Sequence, residues 1–369
     1  MNRIDWREFL ARPPLPPPSP EIGQVFAQTR FLITGAGGSI GSALALRLAQ
    51  WGSSRTVLLD SSENNLHQLQ QALAGVEANA GAAFVLGDAG DVTALEEIFF
   101  AYRPHIVFHA AAHKHVPLLE LQPYAAIANN IFVTETLVAA AAKYGASVLL
   151  LSTDKAVQPA SVMGATKRIA EEIVLRGDGA ALRLGNVLAS SGSVTEIFAR
   201  QAMRGGPLTV TDSAARRYFL TMEEAVNLLL QAAHIAASVA ADKSSAALLA
   251  PSLAADHGIA ELAAFLARKL GDSRELPVHF IGLRPGDKLA ERLWDDGERT
   301  SPAKDGLLFI HSVHPEPTDF ASGLSALRAA VRERDLTTAL AHLRALVPGF
   351  RPSETVLALA QKSAQRVYA

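Results

Sequence analysis

From Arg30 onward, short runs of consecutive apolar residues alternate with longer stretches whose apolar positions recur at helical spacing. The runs at 31–34, 56–60, 83–86, 106–109, 148–152 and 181–184 read as strands, and 40–50, 64–75, 92–102, 125–144 and 161–175 as the helices between them. Continuous apolar strands joined by crossover helices predict a parallel sheet buried on both faces, the doubly wound α/β class. After Arg183 the regularity loosens. Gly205-Gly206-Pro207 followed by 208–210 predicts a hairpin or a short parallel strand; 222–237 and 259–270 read as helices and 278–281 as a strand.

This pattern divides the chain into an irregular, proline-rich arm at 1–28 lying on the domain and a dinucleotide-binding domain at 29–185. A smaller C-terminal substrate-binding lobe at 186–321 returns in part to the main domain. The tail at 322–369 is helical to residue 346 and stops at Pro348-Gly349. No internal repeat is visible. Of the 369 residues, 49% are hydrophobic and 19% charged, as in an ordinary globular core. A net charge of −2 gives no electrostatic case for binding nucleic acid. Zero cysteines exclude disulfides, thiolate metal sites and a thiol nucleophile. No apolar stretch precedes Pro13, so no secretory signal is expected. The apolar stretch 225–241 carries Asn227, Gln231 and His234 behind Glu223 and Glu224, and reads as a buried helix. The expectation is a cytoplasmic protein with no membrane insertion.

The first strand runs into Gly35-Ala36-Gly37-Gly38-Ser39-Ile40-Gly41. Gly35 allows a sharp turn, Gly38 lets backbone approach a pyrophosphate, Gly41 permits close helix–strand packing, and the next helix offers free N–H groups to phosphate. Asp60 closes the second strand and is placed to accept hydrogen bonds from ribose hydroxyls. It would repel a 2′-phosphate, and Ser61 and Ser62 add no cation, so NAD is expected over NADP. These features make the fold Rossmann-like. Asp88 follows the third strand as an adenine-side residue, and Ala110, Ala111, Ala112, Lys114 and Asn129 complete the expected cofactor wall. His109, His113 and His115 are too poorly grouped for a metal site and read as satisfied loop histidines.

The fifth strand delivers Ser152-Thr153-Asp154-Lys155, with Lys167 on the following helix. Such a lysine can hold the nicotinamide ribose and lower a neighbour's pKa. One helical turn earlier, where short-chain dehydrogenases carry a tyrosine base, stands Met163, which cannot ionise. Ser152-Thr153-Asp154-Lys155-Ala156-Val157 with Val162-Met163-Gly164-Ala165-Thr166-Lys167-Arg168 closely resembles the nucleotide-sugar 4,6-dehydratases acting on UDP-N-acetylglucosamine, in the branch where methionine replaces tyrosine. The segments 110–117 and 185–188, Arg217-Tyr218-Phe219, Gly282-Leu283-Arg284-Pro285-Gly286-Asp287-Lys288-Leu289 and 346–352 agree. His113, Val133, Ala250-Pro251-Ser252 and Asp287 depart from the family's usual residues.

The resemblance implies a cycle with no net redox change. Hydride leaves C4 of the hexose for tightly held NAD, water is lost across C5–C6, and hydride returns to C6. It assigns acid–base work to Asp154 and Lys155 and polarisation of the C4 hydroxyl to Thr153. A buried lysine acts as a base if desolvation lowers its pKa. On the substrate side Lys114, His115, Asn186, Arg217 and Arg284 are candidates, the arginines because guanidinium matches phosphate oxygens bidentately. The runner-up reading is an isomerase, an epimerase or pyranose–furanose mutase, possibly on a GDP-sugar. The third is a non-catalytic protein keeping NAD and nucleotide sugar as ligands. A homo-oligomer is expected by analogy of fold.

Overall fold

The structure is a computed structural model that describes residues 4–53, 55–76, 81–241, 246–270, 276–312 and 319–367. The chain enters through α1 (Trp6–Leu10) and α2 (Pro20–Ala27). It then alternates β1 (Phe31–Thr34), α3 (Ser39–Gln50), β2 (Thr56–Asp60), α4 (Glu63–Ala74), β3 (Ala83–Leu86), α5 (Val92–Tyr102) and β4 (Ile106–His109). Helices α6 (Val116–Leu121), α7 (Pro123–Ile127) and α8 (Val133–Lys143) lead to β5 (Ser147–Thr153), α9 (Val162–Arg176) and β6 (Ala180–Leu184). Next come β7 (Asn186–Val187), α10 (Val194–Met203), β8 (Leu208–Val210), β9 (Arg216–Arg217), β10 (Phe219–Leu220) and α11 (Met222–Ala241). The remainder is β11 (Ala247–Pro251), β12 (His257–Gly258), α12 (Ile259–Leu270), β13 (Val278–Phe280), β14 (Glu298–Pro302), β15 (Leu307–Ser312), α13 (Phe320–Arg332), α14 (Leu336–Leu346) and α15 (Glu354–Val367).

A nine-stranded sheet in the order β14-β15-β11-β6-β5-β4-β1-β2-β3 forms the centre. Every neighbouring pair from β11 to β3 is parallel, and the β14–β15 hairpin is added antiparallel to β11. Residues of β1, β2, β4 and β6 are buried throughout, as strands covered by helices on both faces must be. The chain winds outward from β1 through β2 to β3, then returns to β4 and winds the other way. The reversal between β1 and β4 opens a crevice at the carboxyl ends of the strands, where ligands of such sheets bind.

The six strands expected from the apolar runs all lie in this sheet. Leu208–Val210 forms the short parallel strand of the two readings given, paired with β13. β11 and the β14–β15 hairpin come back to the main sheet from the second half of the chain. A second apolar cluster forms the small lobe, in which Phe198, Leu208, Phe219, Leu262 and Leu266 pack with Phe9 from α1.

Three expectations need correction. The arm is not wholly irregular. The side chain of Asp5 caps α1 by accepting from the Arg7 N–H, and α2 starts on Pro20, whose missing N–H costs nothing at a helix start. The stretch read as one helix at 125–144 is interrupted by a π-helical turn at Ala128–Phe132. Helicity does not stop at Pro348-Gly349, because Glu354 begins α15. Between α1 and α2 the arm is pinned to α11: Arg12 Nη1 lies 2.6 Å from Glu224, the Leu15 N–H donates to the same carboxylate, and Gln231 donates to the Pro16 carbonyl. Among the described residues one helical run, Pro123–Lys143, is long and apolar enough by length and composition to cross a membrane. Here it is the crossover between β4 and β5 and packs against α5 and α9.

Candidate active site

The glycine loop is built by contacts that leave no room for larger residues. A Cβ on Gly35, whose φ is +68°, would lie 2.7 Å from the Ala111 nitrogen, and one on Gly41 would lie 2.2 Å from the Gly35 carbonyl oxygen. The loop therefore rests against Ala110 and Ala111, and α3 can sit close to β1. At Gly38 a Cβ would meet only the Gly35 carbonyl of its own loop. The space it would take is the open cradle in front of α3, whose N-cap Gly38 brings no side chain to the first-turn N–H groups. Ser39 and Ile40 open that helix. Asp60 is buried at the end of β2, with one carboxylate oxygen accepting from the Gly37 N–H at 2.8 Å and the other from the Ser62 N–H at 2.8 Å. A free helix start, a cradle without side chains and an acid 23 residues beyond Gly37 fit a dinucleotide. Asp88 is exposed beyond β3, where its carboxylate accepts from the Gly90 N–H.

The far wall is braced by a residue that spacing did not single out. Asn130, in the π-helical turn, accepts from the His113 N–H, donates to the His113 carbonyl and donates to Thr166 on α9. It fixes the 110–114 loop against the helix of Met163 and Lys167. Its neighbour Asn129, the expected cofactor contact, is half-buried and donates to the Asn130 side chain. The adjacent Asn-Asn pair was the only visible signal, and the π turn decides which of the two braces. His109 is a structural residue, held between Thr34 and Thr134, and burial pushes its imidazole down to about 3.

Thr153, Asp154 and Lys155 form a connected group where β5 ends. Thr153 Oγ1 donates to Asp154 Oδ1 at 2.9 Å; Lys155 Nζ donates to the same oxygen at 2.8 Å and to Asn186 Oδ1 at 3.2 Å. Asp154 is fully buried, and its Oδ2 has no hydrogen-bond partner. The expectation that desolvation lowers the Lys155 pKa is overturned. Burial pulls it down, but the charges of Asp154 and Glu291 outweigh that pull and hold it above its ordinary value. Lys155 is an ammonium at rest.

Helix α9 starts hard against this group. Ser161 Oγ accepts from the Gly164 N–H, and a Cβ on Gly164 would fall 2.3 Å from the Lys155 carbonyl oxygen. Gly164→Ala is accordingly expected to lower stability by about 1–3 kcal/mol through overpacking, read as a reduced midpoint in chemical denaturation. Met163 is buried among the apolar residues of the main core. One turn on, Lys167 is also buried, and desolvation, opposed by Glu171, brings its ammonium down to about 8.

Beneath the site lies an ion cluster that connects β5, β6, α9 and β14. Ser152 Oγ donates to Glu171 at 2.5 Å. Arg183, wholly buried on β6, donates through Nε and Nη2 to Glu171 and through Nη1 to Glu298 at 2.7 Å, and Arg168 reaches both acids. An arginine in the middle of the apolar run 181–184 was the signal for it, because a charge inside a buried strand needs a partner.

On the substrate side, Asn186 joins Lys155 as noted. Arg217 is placed differently from a free diphosphate clamp, because its guanidinium donates to the carbonyls of Arg216, Lys288 and Leu289 and so holds the 284–291 segment. Arg284 is half-exposed and paired with Asp287 at 2.8 Å. Gly286 sets that loop against Val116 and Ser161, at the starts of α6 and α9. Lys114 Nζ donates to the Ser191 carbonyl at 2.7 Å, while the Ser191 N–H donates to Ser39 at 2.9 Å, so the 189–193 loop bridges Lys114 to the glycine loop. The His115 ring lies under Gly192 of the same loop, where a Cβ would come within 2.5 Å of it.

A doubly wound sheet with this glycine loop, a serine–threonine–aspartate–lysine strand end and a lysine on the next helix defines the epimerase and dehydratase class of extended short-chain dehydrogenases. Within it the chain belongs to the polysaccharide biosynthesis protein family, which it matches over residues 31–312. It is 37% identical over 309 residues to the capsular polysaccharide biosynthesis protein CapD of Staphylococcus aureus, covering 81% of this chain and 50% of that protein. The chain thus spans about half the length of the curated relatives it matches first. The solved structure of Pen from Bacillus thuringiensis is similar with a TM-score of 0.70 and 26% identity, over 77% of this chain and 88% of that one. DesIV, a dTDP-glucose 4,6-dehydratase from Streptomyces venezuelae solved with NAD and TYD bound, shares the fold with a TM-score of 0.58 at 21% identity, over 71% of this chain and 87% of that one.

Proposed function

We propose that this chain is an NAD-dependent nucleotide-sugar 4,6-dehydratase with UDP-N-acetylglucosamine as substrate. The observation that carries the reading is the hydrogen-bonded pair of Asp154 and Lys155 at the end of β5, two proton carriers side by side where an epimerase needs only one. Epimerisation by oxidation and reduction at one carbon moves a single hydroxyl proton. Elimination of water across C5–C6 also needs a base at C5 and an acid at the departing C6 hydroxyl. When bound, NAD supplies the hydride acceptor for C4 and the donor for C6.

The rest falls to the chain's own residues. Thr153 polarises the C4 hydroxyl. Lys155 is protonated at rest and must pass its proton on before it can act as a base; Asp154 Oδ1 at 2.8 Å is the acceptor. That one transfer leaves a neutral amine to take the C5 proton and a protonated Asp154 to donate to the leaving hydroxyl, so the elimination step balances within the pair. Lys155 returns its proton to C5 as hydride reaches C6, and the proton that the C4 hydroxyl gives up to water on oxidation is matched by one taken from water when Lys155 is recharged. Met163 cannot compete for either proton. Lys167, brought down to about 8, and Asp60 are the residues that would hold the two ribose rings.

The test is to incubate the protein with UDP-N-acetylglucosamine, and in parallel with other UDP- and GDP-sugars, and to weigh the products by mass spectrometry. Loss of one water is expected from UDP-N-acetylglucosamine. A product of unchanged mass would replace this reading with the isomerase, and no product from any sugar with the binding protein. In the same preparations, Gly41→Ala is expected to lose co-purifying dinucleotide, measured by absorbance after protein precipitation, because its Cβ has no room beside the Gly35 carbonyl.

A further inference from the structure

Five residues beyond the Gly-Leu-Arg-Pro-Gly segment stands Glu291, a buried acid with no part in the mechanism above. Its side chain is 3% exposed. Lys288 Nζ lies 2.5 Å from its Oε2, although out of line for a hydrogen bond, and Arg217 Nη2 lies 3.9 Å from its Oε1. The Lys288 ammonium also donates to the Val157 carbonyl, two residues past Lys155, so the carboxylate is held against the strand end that carries the catalytic pair. Two buried acids, each with a buried oxygen lacking a hydrogen bond, thus meet this strand end, Asp154 directly at Lys155 and Glu291 through Lys288. Such isolation of carboxylate oxygens is costly in a low-dielectric site unless nearby cations compensate.

We propose that Glu291 is a positioning residue for the Asp154–Lys155 pair, a carboxylate that Lys288 holds against the strand end bearing Lys155. Lys288 and Arg217 hold the carboxylate in place, and its field acts on Lys155 across the site. Burial and the charge of Asp154 push the Glu291 carboxyl above its usual range, and the two lysines oppose this. The charged and titratable groups that share the pocket are Asp154 and Lys155 from the strand end, Arg217 and Tyr218 from the β9–β10 segment, and Lys288 from the same loop. Removing the Glu291 charge makes the ammonium form of Lys155 less favourable, so Lys155 should lose its proton at lower pH.

The role in turnover rests on the dehydratase reading; the effect on Lys155 does not, and the experiment separates the two. Wild type, E291Q, E291D and E291M are labelled competitively with a trace of acetic anhydride across a pH series. Acetylation of Lys155 is followed by peptide mass spectrometry against exposed Lys143 as internal standard. E291Q and E291M are expected to label Lys155 at least about threefold faster than wild type at pH 8, half a pH unit or more in midpoint, while E291D stays within about twofold. An unchanged Lys155-to-Lys143 ratio in both charge-removing variants overturns the proposal. With UDP-N-acetylglucosamine, the ascending limb of kcat against pH is expected to move to lower pH in E291Q with KM within about twofold. A uniform fall in kcat with the limb unmoved marks a merely structural acid and overturns the proposal. If wild type removes no water from the sugar, the dehydratase reading falls and the labelling arm still decides the role of Glu291.

Discussion

Lys155→Met is expected to lower kcat for dehydration by about 10²–10⁴-fold, the usual worth of a positioned general acid–base group. Methionine keeps most of the stem volume and, among the described residues, removes the only side-chain cation within hydrogen-bonding distance of Asp154 Oδ1, leaving Thr153 as that oxygen's remaining donor. The variant would keep the Asp154 side chain and lose the base for C5. KM should change much less than kcat, since the lysine is asked to act in the transition state rather than to hold ground-state substrate. Steady-state kinetics beside a circular dichroism spectrum checks this. Turnover within tenfold of wild type, in a folded protein, would assign the base elsewhere.

The second large effect is on stability. Arg183→Met is expected to cost about 3–5 kcal/mol, because it strands Glu171 and Glu298 as buried acids with Arg168 as their remaining cation. Equilibrium denaturation measures it, and a loss under about 1 kcal/mol would show that the cluster contributes little. The same cluster gives a pH dependence with a definite sign. Burial alone would raise the Glu298 carboxyl, yet the Arg183 guanidinium lowers it to about 2 from an ordinary 4.5. A carboxylate whose folded pKa is depressed stabilises the fold fully above its unfolded value and loses that contribution as pH falls toward the folded one. Wild type should therefore weaken between about pH 4.5 and 2, and Glu298→Gln should be less stable at neutral pH and flatter across that acid window.

The half of the chain before Arg183 was legible because its signals are local. Apolar runs, helical spacing and the glycines at 35, 38 and 41 each act within a few residues, and the sheet they predict is the sheet that forms. The small lobe was less legible because β7, β9, β10 and β12 are two residues long, too short for any period to show. A partial return to the main domain was expected, but which strands make it, β11, β14 and β15, depends on partners far along the chain, which no local pattern encodes. At the site, residue types were visible and their charge states were not. Lys155 beside Asp154 could be read from the sequence, but Glu291 arrives from a distant loop and adds to Asp154 in holding the lysine above its ordinary value. Arg217 was a reasonable phosphate ligand until the carbonyls of Lys288 and Leu289 were seen to occupy it.

Glu120 on α6 is buried, accepts from the Val162 N–H at the start of α9, and accepts from Ser353 ahead of α15; close by, the Arg351 N–H donates to the Pro159 carbonyl. One carboxylate thus ties the last helix of the chain to the first turn of the helix bearing Met163 and Lys167. Amide protons report such ties, since hydrogen exchange follows the cooperative unit a residue opens with rather than its place in sequence. The Val162 amide should exchange together with the tail's amides, and more slowly than an ordinary first-turn amide open to water. In the folding sense, the tail and the start of the catalytic helix then form a single unit, and loosening the tail would unfasten that helix at its start.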